Sequence, residues 1–235
     1  MLTLTGKWKE IHPGALAGIL AMDNVSNPER HTALEREKER LVEDLKKRIP
    51  DREMLASLPV IRAYDSYYRR FDKSYHVRMQ IESVALKGKP IPNVAALVET
   101  MFMAELKNGL LTAGHDLDAV EGLIRADLAD GGEIYTRLNG QEQACKAGDM
   151  IMADEGGIIS SVLYGPDWRT RITPGTRRVC FAVYVPEGIG EDALQRHFDD
   201  IEAYIRLVSP DAATSRREVR GAGFTLRNAG LDSAL

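Results

Sequence analysis

Cysteine is nearly absent. There are two in 235 residues, Cys145 and Cys180, and their settings and spacing match no zinc-binding pattern. Cys180 lies within Val179-Cys180-Phe181 and reads as a buried thiol inside a strand, while Cys145 sits near a turn. Long apolar runs are missing too, which excludes a membrane-spanning helix. The first residues lack the charged-then-apolar order of a signal peptide, so a cytoplasmic protein is expected. No charge of one sign dominates: 31 Lys and Arg stand against 35 Asp and Glu, a net charge of −4. With no global field to draw it to a polyanion, any nucleic-acid site has to be a local basic patch. Several catalytic signatures are absent: the phosphate-binding Walker loop, Gly-x-Gly-x-x-Gly after a strand, Gly-x-Ser-x-Gly and His-Glu-x-x-His. Nucleotide hydrolysis, dinucleotide redox chemistry and zinc proteolysis therefore have no support. Glu82, His115, Asp116, Asp118, Asp154 and Glu155 are metal-ligating types without a ligand pattern, so neither a metal nor any other cofactor is expected. There is no internal repeat and no low-complexity block.

What is there reads as one large α+β domain over residues 1–208, with a weakly ordered tail over 209–235. Leu2 to Lys9 alternates as a strand with Trp8 as an anchor, and Ala15–Met22 is a short apolar run bounded by turn formers, hence a buried strand. Ser26 with Glu29 has the form of a capping box before a charged helix ending near Arg48, which keeps only Leu34, Leu41 and Leu45 as an apolar stripe. Leu58-Pro59 opens a helix with Ile61, Tyr64, Tyr68 and Phe71 inward and Tyr67, Arg69 and Arg70 outward. His12, His31 and His197 are expected to face solvent.

The densest stretch is Arg78 to Asp118. A helix bearing Arg78 and Glu82 ends at Gly88, and Pro90-Ile91-Pro92-Asn93 is a rigid corner in which Asn93 is placed to cap the next helix. That helix, Val94 to Lys107, is apolar on nearly every side and should be buried. Asn108-Gly109 stops it, and Gly114-His115-Asp116-Leu117-Asp118 follows: an imidazole and two carboxylates in five positions. Beyond it the period shortens to that of strands. Asp130-Gly131-Gly132 and Asn139-Gly140 are hairpin signals, and an antiparallel meander is expected through Met150–Asp154 and Ile158–Leu163. Arg178–Val185 is an apolar strand, and Glu191–Val208, with Leu194, Phe198, Ile201, Ile205 and Val208 in register, is the clearest helix. Between them Asp167–Arg178 holds the strongest basic patch, with Trp168 among arginines and threonines. Arginines and hydroxyls contact phosphates, and an indole can stack on a base; a polar loop crossing the sheet is the plainer alternative.

Residues 75–185 resemble the B3/B4 domain, the tRNA-editing domain of the phenylalanyl-tRNA synthetase β subunit, and in particular the freestanding proteins built mainly of it. The resemblance is carried in order by Arg78 with Glu82, Pro90–Asn93 with Leu97-Val98, and Gly114–Asp118 with Gly122 and Arg125. It continues through Gly132-Glu133, Asp154–Gly156, and Trp168–Thr170 through Thr176. Two departures stand out: Glu99 replaces an aspartate, and His76-Val77-Arg78-Met79 replaces an arginine-proline-serine sequence. The resemblance implies a three-layer β/β/α fold, an antiparallel β-sandwich of unusual topology with helices packed on it. It also implies tRNA as partner, recognised at its aminoacylated 3′ end, and hydrolysis of a mischarged ester there without aminoacylation. On that reading Glu82, His115 and Asp116 are catalytic, Asn93, Gly114 and Asp118 bind substrate, and Arg78, Arg125, Arg169 and Thr176 meet the RNA. A noncatalytic RNA-binding module, or a protein handling a free amino-acid derivative, are the alternatives.

Overall fold

The computed structural model describes residues 2–223. The chain begins β1 (Leu2–Leu4), α1 (Gly6–Ile11) and β2 (Leu16–Asp23). Five helices follow: α2 (Thr32–Arg48), α3 (Arg52–Ser57), α4 (Pro59–Arg69), α5 (His76–Ala85) and α6 (Ala96–Asn108). Then come β3 (Thr112–Asp116), a 3₁₀ turn (Leu117–Ala119), β4 (Ile124–Leu128), β5 (Ile134–Thr136), β6 (Glu142–Ala144), β7 (Met150–Asp154), β8 (Gly157–Ser161) and β9 (Gly165–Pro166). The last elements are β10 (Arg178–Val185), α7 (Glu191–Val208) and β11 (Ala213–Gly221).

The fold is α+β. One sheet has the order β1-β4-β7-β8-β9 and is antiparallel except that β1 joins β4 in parallel. A second, fully antiparallel sheet has the order β11-β2-β10-β3, and β5 pairs with β6 alone. Side-chain alternation assigns the faces of the second sheet. A Cβ on Gly18 would lie 2.8 Å from Leu194 and Phe198, so that face receives α7. A Cβ on Gly114 would lie 2.7 Å from Ile172 and 3.2 Å from Met101, so the same face receives α6. Ile19, Ala21 and Cys180 alternate to the opposite face, where with Ile124 of β4 they line a cleft between the two sheets. Covered on both sides, β10 has no need of polar residues: Val179 to Val185 are all buried.

Long-range contacts account for several departures from the sequence expectations. The strand over Leu2–Lys9 stops at Leu4, because Thr5 caps α1 by accepting the Trp8 N–H at 3.2 Å; Trp8 is nevertheless fully buried. Ser26 and Glu29 form no capping box, since α2 starts only at Thr32 and Ser26 instead donates its N–H to the Ser209 hydroxyl at 2.9 Å. Asn93 does not cap α6, which starts at Ala96. Its first amides reach back to the loop before α2, Ala96 N–H to the Pro28 carbonyl and Leu97 N–H to Asn27 Oδ1, both at 2.9 Å. Asp130-Gly131-Gly132 does not join paired strands, for β4 pairs with β7; Asn139-Gly140 does join β5 to β6. A period of two identifies strands but not their partners.

Burial was also misjudged. Tyr67 is interior, donating to Asp149 Oδ1 at 2.8 Å and accepting the Met150 N–H at 2.7 Å. His12 is buried. His197 has no exposed surface and sits 2.7 Å from the Thr112 hydroxyl. The expected loose tail is β11 as far as Gly221, the edge strand beside β2; the part from 224 to 235 lies outside the described residues. Of its arginines, Arg217 pairs with Asp199 at 2.7 Å and Arg220 with Glu218 at 2.6 Å.

Candidate functional site

β3 is an edge strand paired with β10, and His115 lies opposite Cys180, so both project to the face turned toward the five-stranded sheet. His115 has no exposed surface. Its Nδ1 is 2.7 Å from the Thr170 hydroxyl, and that hydroxyl donates its only proton to Asp167. The His115 Nδ1–H therefore donates to Thr170, which leaves Nε2 as a bare lone pair. Nε2 is buried and has no partner among the described residues. Burial, against the attraction of Asp154, lowers the imidazole to about 4, so it is neutral near pH 7.

The surrounding acids and bases hold one another. Asp154 accepts from Arg169 at 2.6 Å, from the Glu121 N–H at 2.8 Å and from the Gly156 N–H at 2.9 Å. A Cβ on Gly156 would meet the Arg169 guanidinium at 2.9 Å, so a larger residue there would push the guanidinium aside. Arg169 also donates to the Ala119 carbonyl at 2.8 Å, tying the Asp154 turn to the 3₁₀ turn. Asp116 caps that 3₁₀ turn through the Asp118 N–H at 3.1 Å and accepts the Thr176 hydroxyl at 2.7 Å. Asp118 pairs with Arg178 at 2.8 Å, and Arg178 with Asp23 at 3.1 Å. Beside this cluster lies the inter-sheet cleft, about 300 Å³, with Ile19, Ala21, Ile124 and Cys180 on its apolar side and Arg178 and Arg216 on its polar side. The Cys180 thiol is pushed up to about 12 by burial, and so is that of Cys145, which leaves neither as a ready nucleophile.

Gly114, His115, Asp116, Asp118, Arg169 and Thr176 are thus brought together; the other predicted residues are not. Glu82, on α5, pairs with Arg52 at 2.7 Å and Lys87 at 3.0 Å, and these cations hold its carboxyl below the ordinary range. Arg78 pairs with Asp65 at 2.5 Å in the groove between α4 and α5 that Glu82 also lines. Asn93 Oδ1 accepts from the buried Lys38 at 2.6 Å; that ammonium also lies 2.5 Å from Glu99 and 2.8 Å from Glu35. Arg125 stands 3.5 Å from Asp127 on β4. Asp167 and Thr170 lie within the basic segment but were given no role beside His115, and the buried Asp149 was not expected. Asp149 accepts from Ser161 at 2.5 Å and is pushed up to about 6 by burial. Only the unusual acid before an apolar strand hinted at it. Among the described residues no group of three His, Cys, Asp or Glu side chains is arranged to hold a metal ion, and no helix is long and apolar enough to cross a membrane.

A family model for the B3/4 domain matches residues 64–205. The chain belongs to the B3/4 domain family. The match takes in His115, Asp116, Asp118, Asp154, Asp167, Arg169, Thr170, Thr176 and Arg178 but omits β2 and β11, half of the four-stranded sheet of this B3/4 protein. The phenylalanine–tRNA ligase β subunit of Leifsonia xyli subsp. xyli is 32% identical over 137 residues, 55% of this chain and 16% of that subunit. The B3/4 chain therefore spans under a fifth of this curated relative. A solved N-terminal fragment of the phenylalanyl-tRNA synthetase β subunit from Pyrococcus horikoshii is similar over 94% of this chain and 50% of its own, with 11% identity and a TM-score of 0.45.

Proposed function

We propose that this B3/4 protein binds the aminoacylated 3′ end of tRNA and hydrolyses a mischarged ester there. The observation that carries the reading is the unpartnered, unprotonated Nε2 of His115, held in one tautomer by the Thr170–Asp167 chain. An aminoacyl ester is intrinsically labile, so orienting a water and polarising the carbonyl suffices, without a covalent nucleophile. A neutral imidazole nitrogen accepts a hydrogen bond from that water or from the ribose hydroxyl beside the ester. Because Nε2 is shielded, substrate entry requires neighbouring side chains to shift.

Other roles change accordingly. Asp116 acts through Thr176 and the 3₁₀ turn and is a positioning residue; Glu82, tied to two cations, is removed from the chemistry. Asp118, more than half exposed beside Arg178, is the carboxylate available for a substrate ammonium. The reaction belongs in the cytoplasm, where charged tRNA is used.

A noncatalytic tRNA-binding module is the second reading, favoured by the closed state of His115 and by the mutual satisfaction of Asp116, Asp154 and Asp167. Deacylation across a panel of mischarged tRNAs, with His115→Ala and Thr170→Val alongside, separates the two. Turnover lost in both variants supports editing. Salt-sensitive tRNA binding without turnover supports the module. If neither turnover nor salt-sensitive tRNA binding is seen, a small amino-acid derivative bound in the inter-sheet cleft becomes the leading reading.

A further inference from the structure

The loop between β9 and β10 presents a feature that the ester chemistry does not use. The Arg171 guanidinium lies 3.7 Å from the centroid of the Trp168 ring, its Nη1 donating to the Trp168 carbonyl at 2.7 Å. Trp168 is 44% exposed. Its backbone N–H donates to the Thr136 carbonyl at 2.8 Å, and Arg137 lies opposite Asp167 in an antiparallel bridge. Trp168 therefore shares a face with Thr136, Ile134 and Leu138, and that face is open: Ile134 is 62% exposed and Leu138 46%. Two cations of this loop have no acid partner among the described residues. Arg171 and Arg177 donate only to backbone carbonyls, whereas Arg169 and Arg178 are held by acids.

We propose that the Trp168–Arg171 stack is a platform for an unpaired base of a single-stranded RNA end, with Arg171 and Arg177 taking the adjoining phosphates. The choice of RNA rests on the function proposed above. An indole that is 44% exposed and already stacked with a guanidinium offers a π surface indifferent to base identity, and arginines without an acid partner in an acidic chain mark where a polyanion can settle. The platform adjoins the His115 cluster: Arg171 bridges to the His115 backbone, and Thr170 between Arg171 and Arg169 holds the imidazole.

The test is binding of a short single-stranded RNA and of the matching duplex, read by fluorescence anisotropy and by intrinsic tryptophan emission. Trp8 is fully buried, so a change in iodide-accessible emission reports on Trp168. Single-stranded RNA is expected to bind, to shield Trp168 from iodide and to bind better than the duplex. Trp168→Ala should weaken binding about 10-fold or more, Trp168→Phe should restore most of it, and Arg171→Ala should weaken it and flatten its salt dependence. Wild-type affinity in Trp168→Ala, or equal affinity for duplex, would overturn the platform, as would no RNA binding with capture of an apolar peptide instead. His115→Ala separates this inference from the hydrolase reading. It should abolish deacylation while leaving the shielding of Trp168 intact, so either idea can fail alone.

Discussion

Replacing Glu105 by glutamine should stabilise the protein, and by an amount that grows with pH. Glu105 is buried in α6, where its Oε1 accepts the Thr112 N–H at 2.7 Å at the start of the strand that carries His115. Burial pushes its carboxyl up to about 8 from an ordinary 4.5. With the folded value raised, the unfolded chain gives up its proton at a pH where the folded chain still holds it. The stability associated with the neutral acid is thus fully present below about 4.5, declines as pH rises through 8, and is then level. The interval from 4.5 to 8, at about 1.4 kcal/mol per unit, bounds the loss at about 5 kcal/mol. Glutamine keeps the acceptor for Thr112 and cannot ionise. Urea unfolding followed by circular dichroism between about pH 5 and 9 should show variant and wild-type midpoints diverging with pH, by about 1 M urea for each 3 kcal/mol gained. Midpoints that keep a constant separation across the range, or converge at high pH, would refute the argument.

Lys38→Met leaves the buried Glu99 without its cation at 2.5 Å and should cost about 3–5 kcal/mol, roughly 10 °C in thermal melting. Adding Glu99→Met should recover much of this, and strict additivity in the double variant would argue against a coupled pair. His115 and His197 are both lowered to about 4 by burial, so below 6.5 the unfolded chain binds more protons and stability falls as pH drops toward 4. His197→Gln should flatten that acid limb, measured in the same urea series. Thr170→Val removes the acceptor of the His115 Nδ1–H and the donor to Asp167, which should cost about 1–3 kcal/mol and release the imidazole tautomer, visible in histidine NMR.

Elements with a strong period were legible residue by residue: Arg178–Val185 and Glu191–Val208 have the expected ends. What could not be read depends on partners far along the chain. Nothing local tells that Asn27, not Asn93, satisfies the start of α6, or that β4 seeks β7 across the β5–β6 hairpin. Tyr67 and His197 fell outside the apolar stripes of their helices and looked exposed. Each is buried because a polar partner, Asp149 or Thr112, meets it from another element. At the candidate site, the Gly114–Asp118 cluster and the basic Asp167–Arg178 segment stand out in the residues themselves, and the family resemblance falls on both. Their meeting is physical: β10 pairs with β3, and the loop before β10 must return past the same edge. Glu82, Arg78 and Asn93 were grouped with them by nearness in sequence, and ion pairs on α5 and α2 hold them elsewhere.

The order β11-β2-β10-β3 has a consequence for how this chain acquires its shape. β2 is synthesised well before both of its neighbours, β10 and β11. Until Ala213–Gly221 emerges, β2 waits with one edge unsatisfied while every described helix is already in being. Such distant pairings impose a high contact order, so folding should be slow relative to the helical layer, with the sheet closing last. A truncation at Ser209 would then do more than trim an end: it would leave Leu16–Asp23 as a bare apolar edge open to pairing with another molecule.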